Sequence, residues 1–111
     1  MKRPAGAPKI VDICLRYNYF EDIVSGNKLV EYRAHTNYWK KRLLIPGVSV
    51  TSIRFRKGRT STNITKEVKS VSVVNVADHV DEVDKEDRKA VFKDLETAIR
   101  IDLAETVETS C

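Results

Sequence analysis

The chain has 111 residues, 41% hydrophobic and 32% charged, with a formal net charge of +4. This length sets one domain that can bury a core without help from disulfides or metal. No apolar run approaches the ~20 residues of a membrane-spanning helix, and the basic start, MKRPAGAPK, has no apolar stretch behind it to make a signal peptide.

Residues 1–9 read as a flexible basic leader, because Pro4, Gly6 and Pro8 discourage regular structure. Residues 9–16, KIVDICLR, make a short, mostly buried strand with Ile10, Val11, Ile13, Cys14 and Leu15 apolar. Asn18 with Glu21 three residues on has the pattern of a capping box, which predicts a helix over 19–25. Phe20, Ile23 and Val24 share its inner face. Gly26 then suits the left-handed position that ends a helix.

Residues 28–33, KLVEYR, form the second strand. Strict alternation puts Lys28 and Glu31 on opposite faces, so the two meet only if Lys28 still belongs to the turn. Thr36 or Asn37 starts a single helical turn in HTNYWKKRLL, where Tyr38 and Trp39 stand beside Lys40, Lys41 and Arg42. Rings interleaved with cations suit nucleic acid, since bases stack while phosphates are neutralised. Core packing of Trp39 is the competing reading.

Pro46-Gly47 marks a turn. Residues 48–57 alternate as a strand whose apolar side changes near Ser52, which predicts a bulge. Residues 58–63 form a polar hairpin loop. Residues 64–76 form the next strand or strand pair, with Val71, Val73 and Val74 as its most buried part. A connection over 77–82 leads to an amphipathic acidic helix expected to begin at Asp84 or Asp87 and run to about residue 97. Residues 99–107 close the domain with Ile99, Ile101 and Leu103 inward, and 108–111 form a tail. The domain therefore spans 10–107. The fold class is α+β, a small mixed β-barrel with two or three short helices.

Charge is unevenly placed. Residues 28–69 hold eleven Lys or Arg against Glu31 and Glu67, whereas 78–108 hold eleven acids against five bases. A positive field favours phosphate-bearing partners. The acidic helix at 84–97 offers a separate surface to a protein partner. No His, Cys, Asp or Glu grouping has zinc spacing, and His35 and His79 stand alone, so no metal or cofactor is expected. A disulfide between Cys14 and Cys111 is possible. Without a secretion signal, a reduced intracellular compartment, cytoplasmic or nuclear, is the better fit. The oligomeric state is left open.

Gly26, Lys28, Glu31 and Arg33 are spaced as G-x-K-x-x-E-x-R. Together with the element order over about residues 10–105, this pattern resembles the ASCH domain family. The resemblance implies a PUA-like β-barrel and a charged cleft between the first helix, the motif strand and the barrel. It also implies binding of RNA or a nucleotide-like ligand, since ASCH domains have been proposed as RNA-binding modules in translation and transcription coactivation. Lys28, Glu31 and Arg33 carry over by motif position, and Tyr38, Trp39 and Lys40 by proximity. Lys41, Arg42, Arg54, Arg56, Lys57 and Arg59 are the expected backbone contacts.

One bacterial branch of the family hydrolyses N4-acetylcytidine with a Thr nucleophile three residues after the motif Lys and a Glu on a later strand. Lys28 and Glu67 match the Lys and the later Glu, but Glu31 stands where the Thr belongs. If the chain is an enzyme, Glu31 acts as general base on water with Lys28 stabilising the oxyanion. Alternatively, Lys28, Glu31 and Arg33 form a purely structural brace.

Overall fold

The computed structural model describes residues 7–105. The remainder of the leader, the tail and Cys111 lie outside the described residues. Cys14 is an exposed free thiol whose Sγ donates to the Gly58 carbonyl at 3.0 Å.

The elements in chain order are β1 (Ala7–Leu15), α1 (Tyr17–Ser25), β2 (Val30–Ala34), α2 (Asn37–Leu43), β3 (Val48–Lys57), β4 (Asn63–Asn75), α3 (Val76–His79), α4 (Arg88–Phe92) and β5 (Thr97–Leu103). Two 3-10 turns, Val80–Glu82 and Lys85–Asp87, join α3 to α4. The strands form one mixed five-stranded half-barrel in the order β1-β3-β4-β5-β2, in which β1 runs parallel to β3 and the other pairs are antiparallel. The small α+β barrel class read from the sequence therefore holds, with four short helices in place of two or three. Among the described residues no helix is long and apolar enough to cross a membrane.

Period-two burial explains β1. Val11, Ile13 and Leu15 face the core, while Ile10 and Cys14, expected inside, are exposed on the opposite face. The strand begins at Ala7, within the expected leader, because Ala7, Pro8 and Lys9 pair with Val48, Ser49 and Val50. The bulge expected near Ser52 sits at Thr51. Lys9 faces Val50 and Ile10 faces Ser52, so Thr51 has no partner in the register. That extra residue shifts the parity of β3, so Val50 packs against the core on one side of it and Ile53 and Phe55 on the other. A second register irregularity, at Lys69, falls where β4 passes from β3 to β5.

Helix α1 starts at Tyr17 behind Arg16, with no side-chain cap from Asn18. The Arg16 carbonyl accepts from the Phe20 amide at 2.9 Å, which nucleates the first turn. Gly26 ends the helix at φ 83°, as its lack of a Cβ allows. Phe20 and Ile23 reach the main core, which gathers residues of β1, β3 and β5, whereas Val24, expected on the same inner face, is exposed.

Two expectations for the second half fail. Val73 is 46% exposed and Val71 and Val74 are only partly buried. Pairing of β4 with β3 ends at Ser52–Glu67, so beyond that point β4 has β5 alone beside it. The long acidic helix at 84–97 is also absent. After a 3-10 turn, α4 lasts five residues and stops at Lys93 and Asp94, both left-handed with φ 52° and 58°. Burial decides this. Phe92 packs edge-on against Tyr32, and Ala98 must enter the sheet opposite Ala34 and Val74. A continuous helix could not serve both. The expected connection over 77–82 instead contains α3 and a 3-10 turn. Val80, Val83 and Val91 complete this second apolar cluster, which moors the acidic segment beside β2.

Candidate nucleic-acid interface: the cleft beside β2

Gly26 turns the chain sharply out of α1, and the Lys28 amide bonds back to the Asp22 carbonyl at 3.1 Å. Lys28 and Leu29 therefore remain in the turn, and β2 begins only at Val30. This placement escapes the alternation that would separate Lys28 from Glu31. Lys28 Nζ reaches Glu31 Oε1 at 2.6 Å and also donates to the Val30 carbonyl at 2.7 Å.

Glu31 is 6% exposed. Its second oxygen, Oε2, accepts from Arg33 at 2.5 Å. A buried carboxylate is costly unless paired and hydrogen-bonded, and here each oxygen meets its own cation. The cations are themselves backed by rings. Lys28 Nζ lies 5.7 Å from the Tyr19 ring centre and the Arg33 guanidinium 5.2 Å from that of Trp39. Arg33 Nε is buried and has no hydrogen-bond partner among the described residues.

These groups line a cleft of about 580 Å³. Its opposite wall comes from the 3-10 turns and α4, including Glu82, Asp84 and Asp87. Asp87, 5% exposed, joins that wall to α1. It accepts from Arg16 at 2.7 Å and, through a very short contact, from the Tyr19 hydroxyl, which also lies 3.3 Å from Asp84. Burial, reinforced by the bond to Asp87, pushes the Tyr19 phenol well above its ordinary value, so it stays a donor.

The cleft is not uniformly positive. Arg16, Lys28, Arg33 and Lys93 line it together with Asp22, Glu31, Glu82, Asp84 and Asp87. The expected backbone contacts lie outside its lining. Arg54 is bound by Asp12, whose carboxyl this hydrogen bond holds below its ordinary value. Lys57 is bound by Glu21 at 2.6 Å. Arg42 lies 3.6 Å from the Tyr38 ring centre and donates to the Tyr38 carbonyl. Lys40, Lys41, Arg56 and Arg59 are exposed.

Trp39 packs partly against the core, as the competing reading had it, and also lines the cleft under Arg33. Gly26 shapes the turn without lining the cleft. Glu67 is not brought to this site. Its side chain is exposed and borders a second cavity of about 600 Å³ between β3 and β4, so Lys28, Glu31 and Glu67 do not share a wall. Sequence reading missed Tyr19, Arg16 and Asp87. The Tyr17-Asn18-Tyr19-Phe20 run is the only local cue to the first of these.

No protein-family model matches the chain, and no curated protein matches it either. Solved structures do match. The ASCH protein from Zymomonas mobilis superposes with a TM-score of 0.62 at 21% identity, over 87% of this chain and 68% of that one. Crystal structures of two mutants of the same protein give TM-scores of 0.62 and 0.63 at 17% and 19% identity. They cover 93% and 87% of this chain, and 71% and 70% of theirs. The likeness read from the G-x-K-x-x-E-x-R spacing thus extends to the whole architecture: the chain has the fold of an ASCH domain.

Proposed function

We propose that the cleft beside β2 binds single-stranded RNA or a nucleotide-like ligand, at Lys28, Glu31 and Arg33. The observation that carries this reading is the Glu31 pairing on the cleft wall. A buried carboxylate there clamps two cations in fixed positions, and one of them, Arg33, keeps a buried Nε–H without an acceptor among the described residues. A buried donor left unpaired costs ~1–3 kcal/mol, so a ligand carbonyl or ring nitrogen at that point relieves a standing penalty. Tyr19 and Trp39 supply ring surface along the same wall. Phosphates then lie outside, toward exposed Lys40, Lys41, Arg56 and Arg59, because the cleft lining already holds five acids against four bases. A ligand of this class places the protein inside the cell, in cytoplasm or nucleus.

Hydrolysis of a modified nucleoside has less support. Glu31 is pinned between two cations and Glu67 borders the other cavity, so neither of the two carboxylates expected to carry that chemistry is free beside Lys28.

Binding of a labelled mixed-sequence RNA of about ten nucleotides, measured over a salt series, tests the reading. Affinity is expected to fall with a log–log slope near −0.7 per phosphate contacted, and Arg33→Met is expected to weaken binding at every salt concentration. Salt-independent binding would remove the phosphate contacts. Binding indifferent to Arg33→Met would remove the cleft.

A further inference from the structure

We infer that Tyr17, together with the tip of the β3–β4 hairpin, forms a second base-stacking platform that takes the nucleotide next to the one in the cleft. The inference rests on the RNA reading above and adds a site to it. Tyr17 opens α1 and is 56% exposed. It is nonetheless held in place. Gly58 packs against the Cδ1–Cε1 edge of its ring, so closely that a Cβ on Gly58 would lie 2.5 Å from Tyr17 Cε1. Lys57 Nζ sits 5.4 Å from the ring centre, anchored there by its pair with Glu21. A ring fixed by backbone at one edge and by a tethered cation has already lost its rotamer freedom, so a stacking base faces little further ordering cost.

The location fits a continuous strand of nucleic acid. Gly58 bonds both to the Leu15 carbonyl and to the Cys14 thiol, and Cys14, Leu15 and Arg16 line the cleft. Tyr17 directly follows Arg16, one residue beyond the cleft lining. Arg59 follows Gly58 at the hairpin tip, exposed and in no ion pair among the described residues. Arg56 is exposed on the strand just before it. An exposed, immobilised ring with cations around it is the arrangement that binds single strands without sequence preference.

Single-stranded RNAs of two, four and eight nucleotides are titrated into wild type, Tyr17→Phe, Tyr17→Ala and Arg59→Ala, with a free nucleoside as the cleft-only probe. Wild-type affinity is expected to rise with length. Tyr17→Ala should lose about tenfold for the eight-mer, since one stacked base is worth roughly that much, yet shift the Lys28–Arg33 amides with nucleoside as wild type does. Tyr17→Phe should keep wild-type affinity, and Arg59→Ala should flatten the salt slope by about 0.7. Circular dichroism melting confirms that each variant is folded. If RNA binds but Tyr17→Ala stays within twofold at every length, the platform is refuted while the cleft stands. Loss in Tyr17→Phe equal to that in Tyr17→Ala would also refute stacking. If wild type binds neither RNA nor nucleoside, both readings fall.

Discussion

Glu31→Gln tests the ion triad at its weakest point. The amide keeps one oxygen for one cation but turns an NH2 toward the other, donor against donor. Lys28 and Arg33, whose side chains are 23% and 22% exposed, then lose their counter-charge. Removing one partner of a fully buried pair costs ~3–5 kcal/mol. Partial exposure lets water recover some of this, so a loss of about 2–3 kcal/mol is expected. A urea slope of about 2 kcal/mol/M suits a domain of this size, which places the midpoint ~1–1.5 M lower. Urea denaturation followed by circular dichroism measures it. The same substitution in a Lys28→Met background should cost at least ~1 kcal/mol less, because one of the stranded charges is gone. A loss below ~0.5 kcal/mol in the single variant, or full additivity in the pair, would refute the triad as a coupled buried unit.

Gly58→Ala must adopt φ +54° and displace the Tyr17 ring; a loss of at least ~1 kcal/mol is expected, and an unchanged melting temperature would contradict it. Tyr19→Phe removes the donor that joins α1 to Asp87 and should cost ~1 kcal/mol. Combined with Asp87→Asn, it should add less than the sum of the two separate losses, and strict additivity in a double-mutant cycle would show that the two groups are not coupled. The Tyr32 hydroxyl, with smaller help from His79, holds the Glu82 carboxyl below its ordinary value of 4.5. A depressed carboxylate stabilises the fold above its unfolded value, and that stabilisation is lost as pH falls through the folded value. Glu82→Gln is therefore expected to flatten stability against pH below about pH 4.5, and an acid limb identical to wild type would contradict the Tyr32–Glu82 bond.

The parts of the fold legible in the sequence were those that local rules decide. Residues 48–57 alternate strongly enough to set β3 at Val48–Lys57, and the apolar change of face near Ser52 marked the bulge at Thr51. Gly26 sits where a positive φ is needed, and that turn lets Lys28 meet Glu31 three residues on. Distant packing was not legible. Asp87 reaches Arg16 across 71 positions of sequence, with nothing in either neighbourhood to announce it. The acidic stretch at 84–97 reads as one amphipathic helix until the demands of Phe92 and Ala98 break it. The charge map was misleading in the same way. Basic and acidic stretches lie far apart in sequence, yet the fold brings members of both to one cleft, so the strongly positive site expected from residues 28–69 becomes a nearly balanced one with its free cations outside.

Ligand binding in the cleft beside β2 is tested most directly by a backbone-amide NMR titration with a pool of short single-stranded RNA, then with a nucleoside, at low and raised salt. Shifts are expected to concentrate at residues 28–41 with both ligands, with salt-weakened shifts at 54–59 with RNA alone. A folded spectrum that stays unchanged with both would contradict it and leave Lys28, Glu31 and Arg33 as a structural brace.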